Sequence, residues 1–481
     1  MIQRFTSILL GVLLLIAVAI SSVAQSSFIN VEVKVSSNNQ PLTHVVVSDG
    51  KNVYLTDENG LTTFLTDASH VFISYPSGYS LDLLPNGAVN FFRKLDLLSE
   101  ENKVHFELKK NPYPEEKHSF LVIADPQLQT QEEAEIFDKE SILALILAKG
   151  ELNDPNIFGV GVGDLVFDEF HLLESYDASL KKTGIPFFQV MGNHDIDLTA
   201  NTHESSHYPY VDRYGPPYYS FNRGDVHYVV LSDVFFLGNR QYYGYLDQKQ
   251  LSWLELDLRY VSKDKPLVIF LHIPSTSQVA KLNPGRDPNK ESIINKDALY
   301  ALVKEFKDVH LMSGHVHWNE KTQIAENILE HNHGAISGAW WAADICYDGS
   351  PKGFGVYRVD ESYISWHYQP IGLDGNHQFR VYPKVKSEGK GFLVNIWNWD
   401  PQWQVNWYEN NVRKGSPKRL EDYDPLALET FDPSKPRLKH PWITAQKTGH
   451  LFYFEPKNPA ASLKVEVKDR FGNVFVQDIA K

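Results

Sequence analysis

The sequence predicts a central α/β region between two all-β domains, and three observations lead to this prediction. Residues 28–108 alternate apolar and polar side chains between turn clusters, which is typical of strands with one buried face. Residues 118–369 instead contain continuous apolar runs separated by helical stretches, as in strands that are covered on both faces. Alternation returns after residue 369, and a chain of 481 residues can bury more than one core.

The first residues predict export. Arg4 is followed by an apolar run over residues 7–20 and by small residues at 22–24, so residues 1–24 are interpreted as a signal peptide cleaved after Ala24. A bilayer-spanning helix needs about 20 apolar residues, and this run is shorter. We therefore expect no transmembrane anchor and an exported protein, either periplasmic or extracellular.

Residues 26–110 are predicted to form an N-terminal β-sandwich. Apolar and polar side chains alternate over residues 31–35, with turn residues at 36–40 and 57–60. The stretch from residue 41 to residue 60 resembles the carboxypeptidase-regulatory-like modules that precede many exported bacterial enzymes. A linker is expected at residues 111–114, because each of the two prolines disfavours helix in the residue before it.

The central region, residues 117–369, has the texture of an α/β domain. Its apolar runs include residues 120–124, 158–163, 187–191, 228–231 and 267–271. Helical spacing is found over residues 132–149 and 247–260, and Asp247 is expected to cap the second helix. These runs are interpreted as buried strands that alternate with helices.

The last region, residues 370–481, is predicted to be a second β-sandwich, with final strands near residues 463–467 and 474–477. Residues 417–441 are charged and rich in proline and are therefore predicted to be a long surface loop. Four tryptophans are interpreted either as core residues of this sandwich or as a carbohydrate-binding face. They are Trp397, Trp399, Trp403 and Trp407.

The formal net charge of −14 argues against a nucleic-acid polymer as the main partner, because such a partner requires a basic surface. A local positive site for a small anion is still compatible with this charge. The sequence leaves the oligomeric state open.

Polar side chains follow the apolar runs of the central region at the points where the strands are expected to end. They are Asp125, Asp164, Asn193 and His272, and then His315 and His317 after the run over residues 309–312. In open α/β sheets, ligands bind beyond the carboxyl ends of the strands, so these groups can converge at one edge.

The converging side chains form a mixed oxygen and nitrogen donor set. Together with the amide of Gln127, they comprise two carboxylates, two amides and three imidazoles, which suit divalent or trivalent first-row metals. Such a set can hold two ions. A pair of ions about 3.5 to 4 Å apart can clamp a phosphate and activate a water molecule.

The same residues form five motifs that resemble, in order, those of the calcineurin-like metallophosphoesterases. The motifs are Asp125-Pro126-Gln127, Gly163-Asp164, Gly192-Asn193-His194-Asp195, His272 and Gly314-His315-Val316-His317. The resemblance covers about 200 residues and implies a two-sheet β-sandwich core flanked by helices, with the small all-β domains added at both ends. It also implies that the chain is a phosphoric ester hydrolase with two metal ions.

The resemblance further implies a role for each ligand. Asp164 would bridge the two metals. One ion would also be bound by Asp125, Gln127 and His317, and the other by Asn193, His272 and His315. His194 would contact the phosphate and protonate the leaving oxygen, with Asp195 holding its ring. This sequence departs from the family at Gln127, where histidine is usual.

Because an amide oxygen is a weaker ligand than an imidazole, we expect looser binding at the first ion. The expected metals are manganese, iron, zinc or magnesium, as divalent or mixed-valence ions, with manganese, magnesium or iron preferred over zinc. The metal identity stays open at this point.

Several residues near the motifs are candidates for substrate contacts, each with a structural alternative. Trp340 and Trp341 can stack on a substrate ring or pack in the interior, and Lys352 can meet an anion or belong to an ordinary turn. His203 follows the Asn-His-Asp motif and can reach the phosphate. Asp168 is either a partner of the site or a solvated helix start.

The sequence thus predicts a phosphatase or phosphodiesterase that acts on a small exported or scavenged phosphorylated molecule. Two alternatives are a degenerate phosphoesterase that binds glycans or surfaces, and a nucleotidase. The first alternative is motivated by Gln127 and by the tryptophans of the last region.

Overall fold

A computed structural model of the chain describes residues 28–383, 391–435, 438–458 and 460–479. The predicted signal peptide lies outside the described residues. Among the helices of the described ranges, none is long and apolar enough to cross a membrane. The strands gather in three regions along the chain.

The first region is a β-sandwich. Its strands are β1 (Ile29–Ser37), β2 (Gln40–Pro41), β3 (Val46–Ser48), β4 (Val53–Leu55), β5 (Leu61–Thr66), β6 (His70–Ile73), β7 (Tyr79–Ser80), β8 (Phe92–Lys94), β9 (Glu101–Glu107) and β10 (Lys109–Lys110). One sheet has the order β2-β1-β5, with β9 also paired to β1, and the other has the order β4-β3-β6-β8. Val31, Val33 and Val35 of β1 are fully buried, as the alternating pattern predicts.

The central region contains two larger sheets. Its strands are β11 (Lys117–Ile123), β12 (Phe158–Gly161), β13 (Phe187–Gln189), β14 (Tyr219–Arg223), β15 (Val226–Val230), β16 (Val234–Gly238), β17 (Gln241–Gly244), β18 (Leu267–Phe270), β19 (Val309–Ser313), β20 (Glu320–Ala325), β21 (Ile328–Asn332), β22 (Gly353–Asp360) and β23 (Tyr363–Pro370). The orders are β13-β12-β11-β22-β23 and β14-β15-β18-β19-β21-β20. Strands β16 and β17 form a separate hairpin.

Helices cover these two sheets. They are Gln131–Ile136, Ile142–Leu152, Leu173–Lys182, His203–Ser206, Tyr208–Tyr214, Gln248–Asp257, Val279–Leu282, Pro288–Glu291 and Lys296–Val303, with a π-helical turn at Phe137–Ser141 and 3₁₀ turns at Phe170–Leu172 and Leu258–Tyr260. Asp247 accepts a hydrogen bond from the Gln250 amide at the start of its helix, which confirms the predicted cap. Thr130 and Glu133 form a capping box that starts the helical stretch predicted over residues 132–149.

Strand β11 shows how the sequence produces the layers. Phe120 and Val122 point between the two sheets, where Phe120 meets Phe270 of β18 with ring centroids 6.1 Å apart. Leu121 and Ile123 point to the other face and pack under the helices. Successive side chains of a strand alternate between faces, so a continuous apolar run satisfies both layers. The predicted fold class, a two-sheet core flanked by helices with β-rich ends, is confirmed.

The last region is a second β-sandwich. Its strands are β24 (Phe379–Pro383), β25 (Phe392–Ile396), β26 (Gln404–Glu409), β27 (Val412–Gly415), β28 (Lys418–Tyr423), β29 (Lys447–Phe454), β30 (Leu463–Lys468) and β31 (Val474–Ile479). The sheets have the orders β24-β25-β29-β28 and β27-β26-β30-β31. Trp397, Trp403 and Trp407 are buried, so these three are core residues rather than a binding face.

The prediction of a long surface loop over residues 417–441 is wrong. Strand β28 and the helix Pro425–Thr430 lie within it. Pro425 occupies the first turn of that helix, where proline is tolerated because its missing N–H has no partner there, and Asp424 caps the start. The segment packs on residues 339–347 of the central region through a small apolar cluster, and Lys439 forms an ion pair with Glu133.

Candidate metal centre

The predicted ligands come together where the two central sheets end. Asp125, Asp164 and Asn193 follow β11, β12 and β13 of the five-stranded sheet. His272 and His315 follow β18 and β19 of the six-stranded sheet. Because these strands run parallel within each sheet, their carboxyl ends share one edge, and the ligand loops of both sheets meet there.

The backbone of these loops adopts a conformation that is rare for residues with a side chain. The φ angles are +52° at Asp125, +43° at Gln127, +54° at Asp164, +73° at His315 and +55° at His317. Each such residue costs about 1 kcal/mol or more, and strain of this kind is retained mainly at functional sites. Its concentration at five predicted ligands supports a shared function.

One group of ligand atoms surrounds Asp164. His272 Nε2 lies 3.3 Å from Asp164 Oδ1, 3.1 Å from Asn193 Oδ1 and 3.2 Å from His315 Nδ1. The opposite ring nitrogens are 2.9 Å from backbone carbonyls, of Val162 for His272 and of Lys290 for His315.

Those carbonyls accept hydrogen bonds from the outer nitrogens, which leaves the inner nitrogens with lone pairs for a cation. The side chains of Asp164, His272 and His315 offer ligand atoms within 4.8 Å of one another. This group has the geometry to hold a metal ion.

The second group contains Asp125, Gln127 and His317. The Gln127 amide nitrogen donates to Asp164 Oδ2 at 2.8 Å, and His317 Nδ1 lies 3.3 Å from the carbonyl oxygen of Gly338. Gln127 Oε1 and His317 Nε2 are buried and have no hydrogen-bond partner among the described residues. Buried polar atoms are rarely left unpaired, and both are good ligands for a first-row cation, so the residues fit a metal ion here.

The charges of the site also favour binding of a cation. Burial raises the pKa of Asp125 to about 8, and burial lowers the pKa of His317 to about 3, so that this imidazole is neutral. Burial also opposes the charge on His272, but Asp164 and the other nearby carboxylates raise its pKa to about 10. The carboxylates therefore attract positive charge, and a bound metal cation can replace the proton of an imidazole.

Two glycines leave room for these ligands. A Cβ atom at Gly192 would lie 2.1 Å from the backbone nitrogen of Asp164 and 2.2 Å from its Oδ1. At Gly163, where φ is +89°, a Cβ would lie 2.4 Å from His272 Nδ1. No side chain fits at either position without moving a ligand.

The structure corrects the partner expected for His194. His194 Nδ1 lies 2.8 Å from Asp168 Oδ1, and Asp168 Oδ2 pairs with Arg240 at 3.0 Å. Asp195 is instead buried, and its carboxylate accepts hydrogen bonds from the backbone amides of Leu165 and Gly192.

Asp195 therefore holds the two loops together, and Asp168 orients His194. Burial lowers the pKa of His194, but the carboxylates of Asp164 and Asp168 raise it by a larger amount. The pKa of His194 therefore lies above its usual value. The two carboxylates therefore favour the protonated form of the ring.

The two adjacent tryptophans have different positions. The ring of Trp340 stacks on His317, with centroids 4.2 Å apart and planes 23° apart. Trp341 Nε1 donates to the carbonyl oxygen of Pro126 at 2.8 Å, and its ring packs edge-on against Phe137. Trp341 therefore supports the loop of Asp125, which agrees with the packing alternative, and contact of either tryptophan with substrate stays a prediction.

Two further substrate-contact predictions differ from the structure. Lys352 is buried and pairs with Glu140 at 2.5 Å and with Asp344 at 2.7 Å, so its charge is already neutralised. His203 accepts a hydrogen bond from the Phe236 amide at 3.1 Å and lines a cavity of about 310 Å³ beside the N-terminal sandwich. None of its contacts among the described residues is with a ligand loop.

Asp233 is a buried member of the site that the sequence analysis missed. Its Oδ1 accepts a hydrogen bond from the His272 amide at 3.2 Å, and burial raises its pKa to about 7. It lies two residues after the apolar run over residues 228–231, so the strand-end pattern that predicted the other ligands applies to it as well.

Comparison with protein families gives three matches along the chain. The model of the calcineurin-like phosphoesterase matches residues 118–319. The models described as the N terminal and the C terminal of calcineurin-like phosphoesterase match residues 29–111 and 330–475. Comparison with curated proteins finds no significant match.

Comparison with solved structures finds similar chains at low identity. A dimetal phosphatase from Danio rerio is 14% identical with a TM-score of 0.39, over 53% of this chain and 96% of the other. A purple acid phosphatase from yellow lupin, Lupinus luteus, is 14% identical with a TM-score of 0.39, over 68% and 67%. A 5'-nucleotidase from Candida albicans is 11% identical with a TM-score of 0.32, over 53% and 51%.

TM-scores below 0.5 carry no inference about activity. The assignment rests on the three family models, which cover the N-terminal, catalytic and C-terminal parts in the order that the family has. The chain belongs to the calcineurin-like phosphoesterases, a dinuclear metal-dependent family, and is a hydrolase of phosphate esters.

Proposed function

We propose that the chain is a phosphatase or phosphodiesterase that acts on a small phosphorylated molecule outside the cytoplasm. The observation that carries the catalytic part of the proposal is that two buried ligand atoms lack a hydrogen-bond partner among the described residues: Gln127 Oε1, whose side chain contacts Asp164, and His317 Nε2, which lies 3.5 Å from Asp125 Oδ1. The export part rests on the signal-peptide pattern of residues 1–24.

The proposed ligand sets share Asp164. One metal would be held by Asp125, Gln127 and His317, and the other by Asn193, His272 and His315, with Asp164 completing each set. When bound, the two ions supply an activated water and neutralise the charge of the phosphate. Gln127 makes the first set poorer in nitrogen, which favours manganese, magnesium or iron over zinc.

His194 is proposed to donate a proton to the leaving oxygen. The hydrogen bond from Nδ1 to Asp168 fixes the ring and leaves Nε2 for the substrate. Burial lowers the pKa of His194, but the carboxylates of Asp164 and Asp168 raise it by more, which favours the protonated ring that a proton donor requires. Phe167 stacks on the ring at 4.0 Å and shields it from water on one face.

The test uses metal-stripped protein that is re-supplied with manganese, iron, zinc or magnesium. Hydrolysis of a chromogenic phosphomonoester and of a phosphodiester is measured, beside Asp164→Asn and His194→Ala variants. We expect metal-restored hydrolysis of one ester class, which both substitutions reduce by a factor of at least about 100.

Folded protein that hydrolyses neither ester with any of the metals would favour the alternative that the chain is a degenerate phosphoesterase that binds glycans or surfaces. Pull-down with immobilised glycans then tests that alternative directly. Secretion is measured separately, by N-terminal sequencing of the mature protein: a first residue at position 25 supports cleavage after Ala24, and an intact Met1 refutes it.

A further inference from the structure

The C-terminal region brings a half-exposed tryptophan to the rim of the metal centre. Trp442 is 48% exposed, whereas the next residue, Ile443, is buried against the cluster around residues 339–347. His440 stacks on the Trp442 ring, with centroids 4.4 Å apart. The ring is thus held from one side while a large part of its surface faces solvent.

Trp442 connects two aromatic rings that each cover an imidazole of the site. Phe167 stacks on His194 at 4.0 Å, and Trp340 stacks on His317 at 4.2 Å. The Trp442 centroid lies 6.3 Å from that of Phe167 and 6.2 Å from that of Trp340. Trp442 therefore stands between the proposed acid and a proposed metal ligand, at the opening of the site.

The rings on the side of the acid are nearly parallel. The planes of Phe167 and His194 are 20° apart, those of Phe167 and Trp442 are 9° apart, and those of His440 and Trp442 are 23° apart. A further flat ring can extend such a series by offset stacking, whereas a puckered ring makes less complete contact.

We propose that Trp442 is a specificity-determining residue that stacks on a planar aromatic ring carried by the leaving group of the phosphate ester. The inference rests on the proposed function, because His194 donates to the leaving oxygen and the leaving group therefore emerges on the side of Phe167 and Trp442.

The kinetic test compares two esters that differ in ring flatness alone. Benzyl phosphate and cyclohexylmethyl phosphate have the same number of carbon atoms and leaving alcohols of similar acidity. We expect wild-type protein to prefer the benzyl ester, and Trp442→Ala to lower the ratio of the two kcat/KM values by a factor of about five. Trp442→Phe should retain most of the preference.

A binding test separates this inference from the proposed function. Calorimetry measures the affinities of benzylphosphonate and cyclohexylmethylphosphonate, which cannot be hydrolysed, for metal-loaded wild type and for Trp442→Ala. Loss of the preference for the flat ring in the variant supports the inference even when no ester is turned over. Equal discrimination by both proteins overturns it, even when both esters are hydrolysed.

The matched control is Leu428→Ala. Leu428 is 50% exposed on the helix Pro425–Thr430 of the same docked segment, so its truncation removes a similar apolar surface there. It should leave the ratio of the two esters unchanged. A ratio that falls as much in this control as in Trp442→Ala would mean that the docking of the segment, and not the ring, sets the preference, and it would overturn the inference.

Discussion

Replacement of Asp168 by asparagine tests the most specific correction that the structure makes to the sequence analysis. The variant keeps the size of the side chain and an oxygen within reach of His194 Nδ1, which now lies 2.8 Å from Asp168 Oδ1. It removes the negative charge that orients the ring and favours its protonated form. We therefore expect kcat to fall while the fold and the metal content are retained.

The size of the effect follows from the exposure of the pair. A hydrogen bond to a charged group contributes about 1.5 to 3 kcal/mol. The side chains of His194 and Asp168 are 20% and 30% exposed, so solvent screens the pair and the lower part of that range applies. A loss of about 1.5 to 2 kcal/mol corresponds to a decrease in kcat of about 10- to 30-fold.

The assay measures kcat, KM, metal content and thermal unfolding for Asp168→Asn, Asp195→Asn and Arg240→Ala. Because Asp195 holds backbone amides, its variant should lose stability and metal first. Arg240 is 62% exposed, so its removal should change kcat by less than about fivefold. The orienting role of Asp168 would be refuted if Asp168→Asn kept the wild-type kcat while Asp195→Asn was stable and metal-loaded but had a lowered kcat. That result would mean that Asp195 orients His194.

Three further predictions concern a ligand, a glycine and a buried histidine. Gln127→His should raise the zinc content of protein dialysed against equal zinc and manganese, as measured by elemental analysis, and an unchanged content would show that position 127 does not contact metal. Gly192→Ala should lower activity at least about 100-fold with little change in circular dichroism, because its Cβ would lie 2.1 Å from the nitrogen of Asp164. Burial lowers the pKa of His118 to about 4, so the folded chain prefers the neutral ring. The contribution of His118 to the free energy of unfolding is therefore complete above pH 6.5 and is lost as the pH falls towards 4. This difference corresponds to about 3 kcal/mol, so His118→Gln should flatten the pH dependence of the urea midpoint over that range; an equal slope in both proteins would refute the assignment.

The ligands could be predicted from sequence because each one follows an apolar run. This pattern is local, and the convergence of strand ends then follows from the layered fold. The choice between Asp168 and Asp195 could not be made in that way. It depends on the left-handed turn at Asp168, where φ is +62°, which directs the side chain towards His194.

The rim of the site was harder to predict than its centre. Lys352 has two carboxylate partners that are distant in sequence, and nothing near residue 352 indicates them. Trp442 lies directly after a proline-rich stretch predicted to be a loop, and its position depends on the docking of residues 424–435 and 438–446 against residues 339–347. Contacts between regions so far apart in the chain leave no periodic pattern in either segment.

The pairing of β11 with β22 affects how the enzyme can form during its synthesis. Strand β11 spans residues 117–123, and its antiparallel neighbour β22 spans residues 353–360. The ribosome therefore completes every proposed metal ligand, the last of them His317, before β22 and β23, which complete the five-stranded sheet, have been made. A chain that stopped at residue 319 would retain the whole ligand set but would expose an unpaired apolar edge in place of a closed sheet. We expect such a chain to aggregate, and the five-stranded sheet to become complete only after residue 370 has left the ribosome.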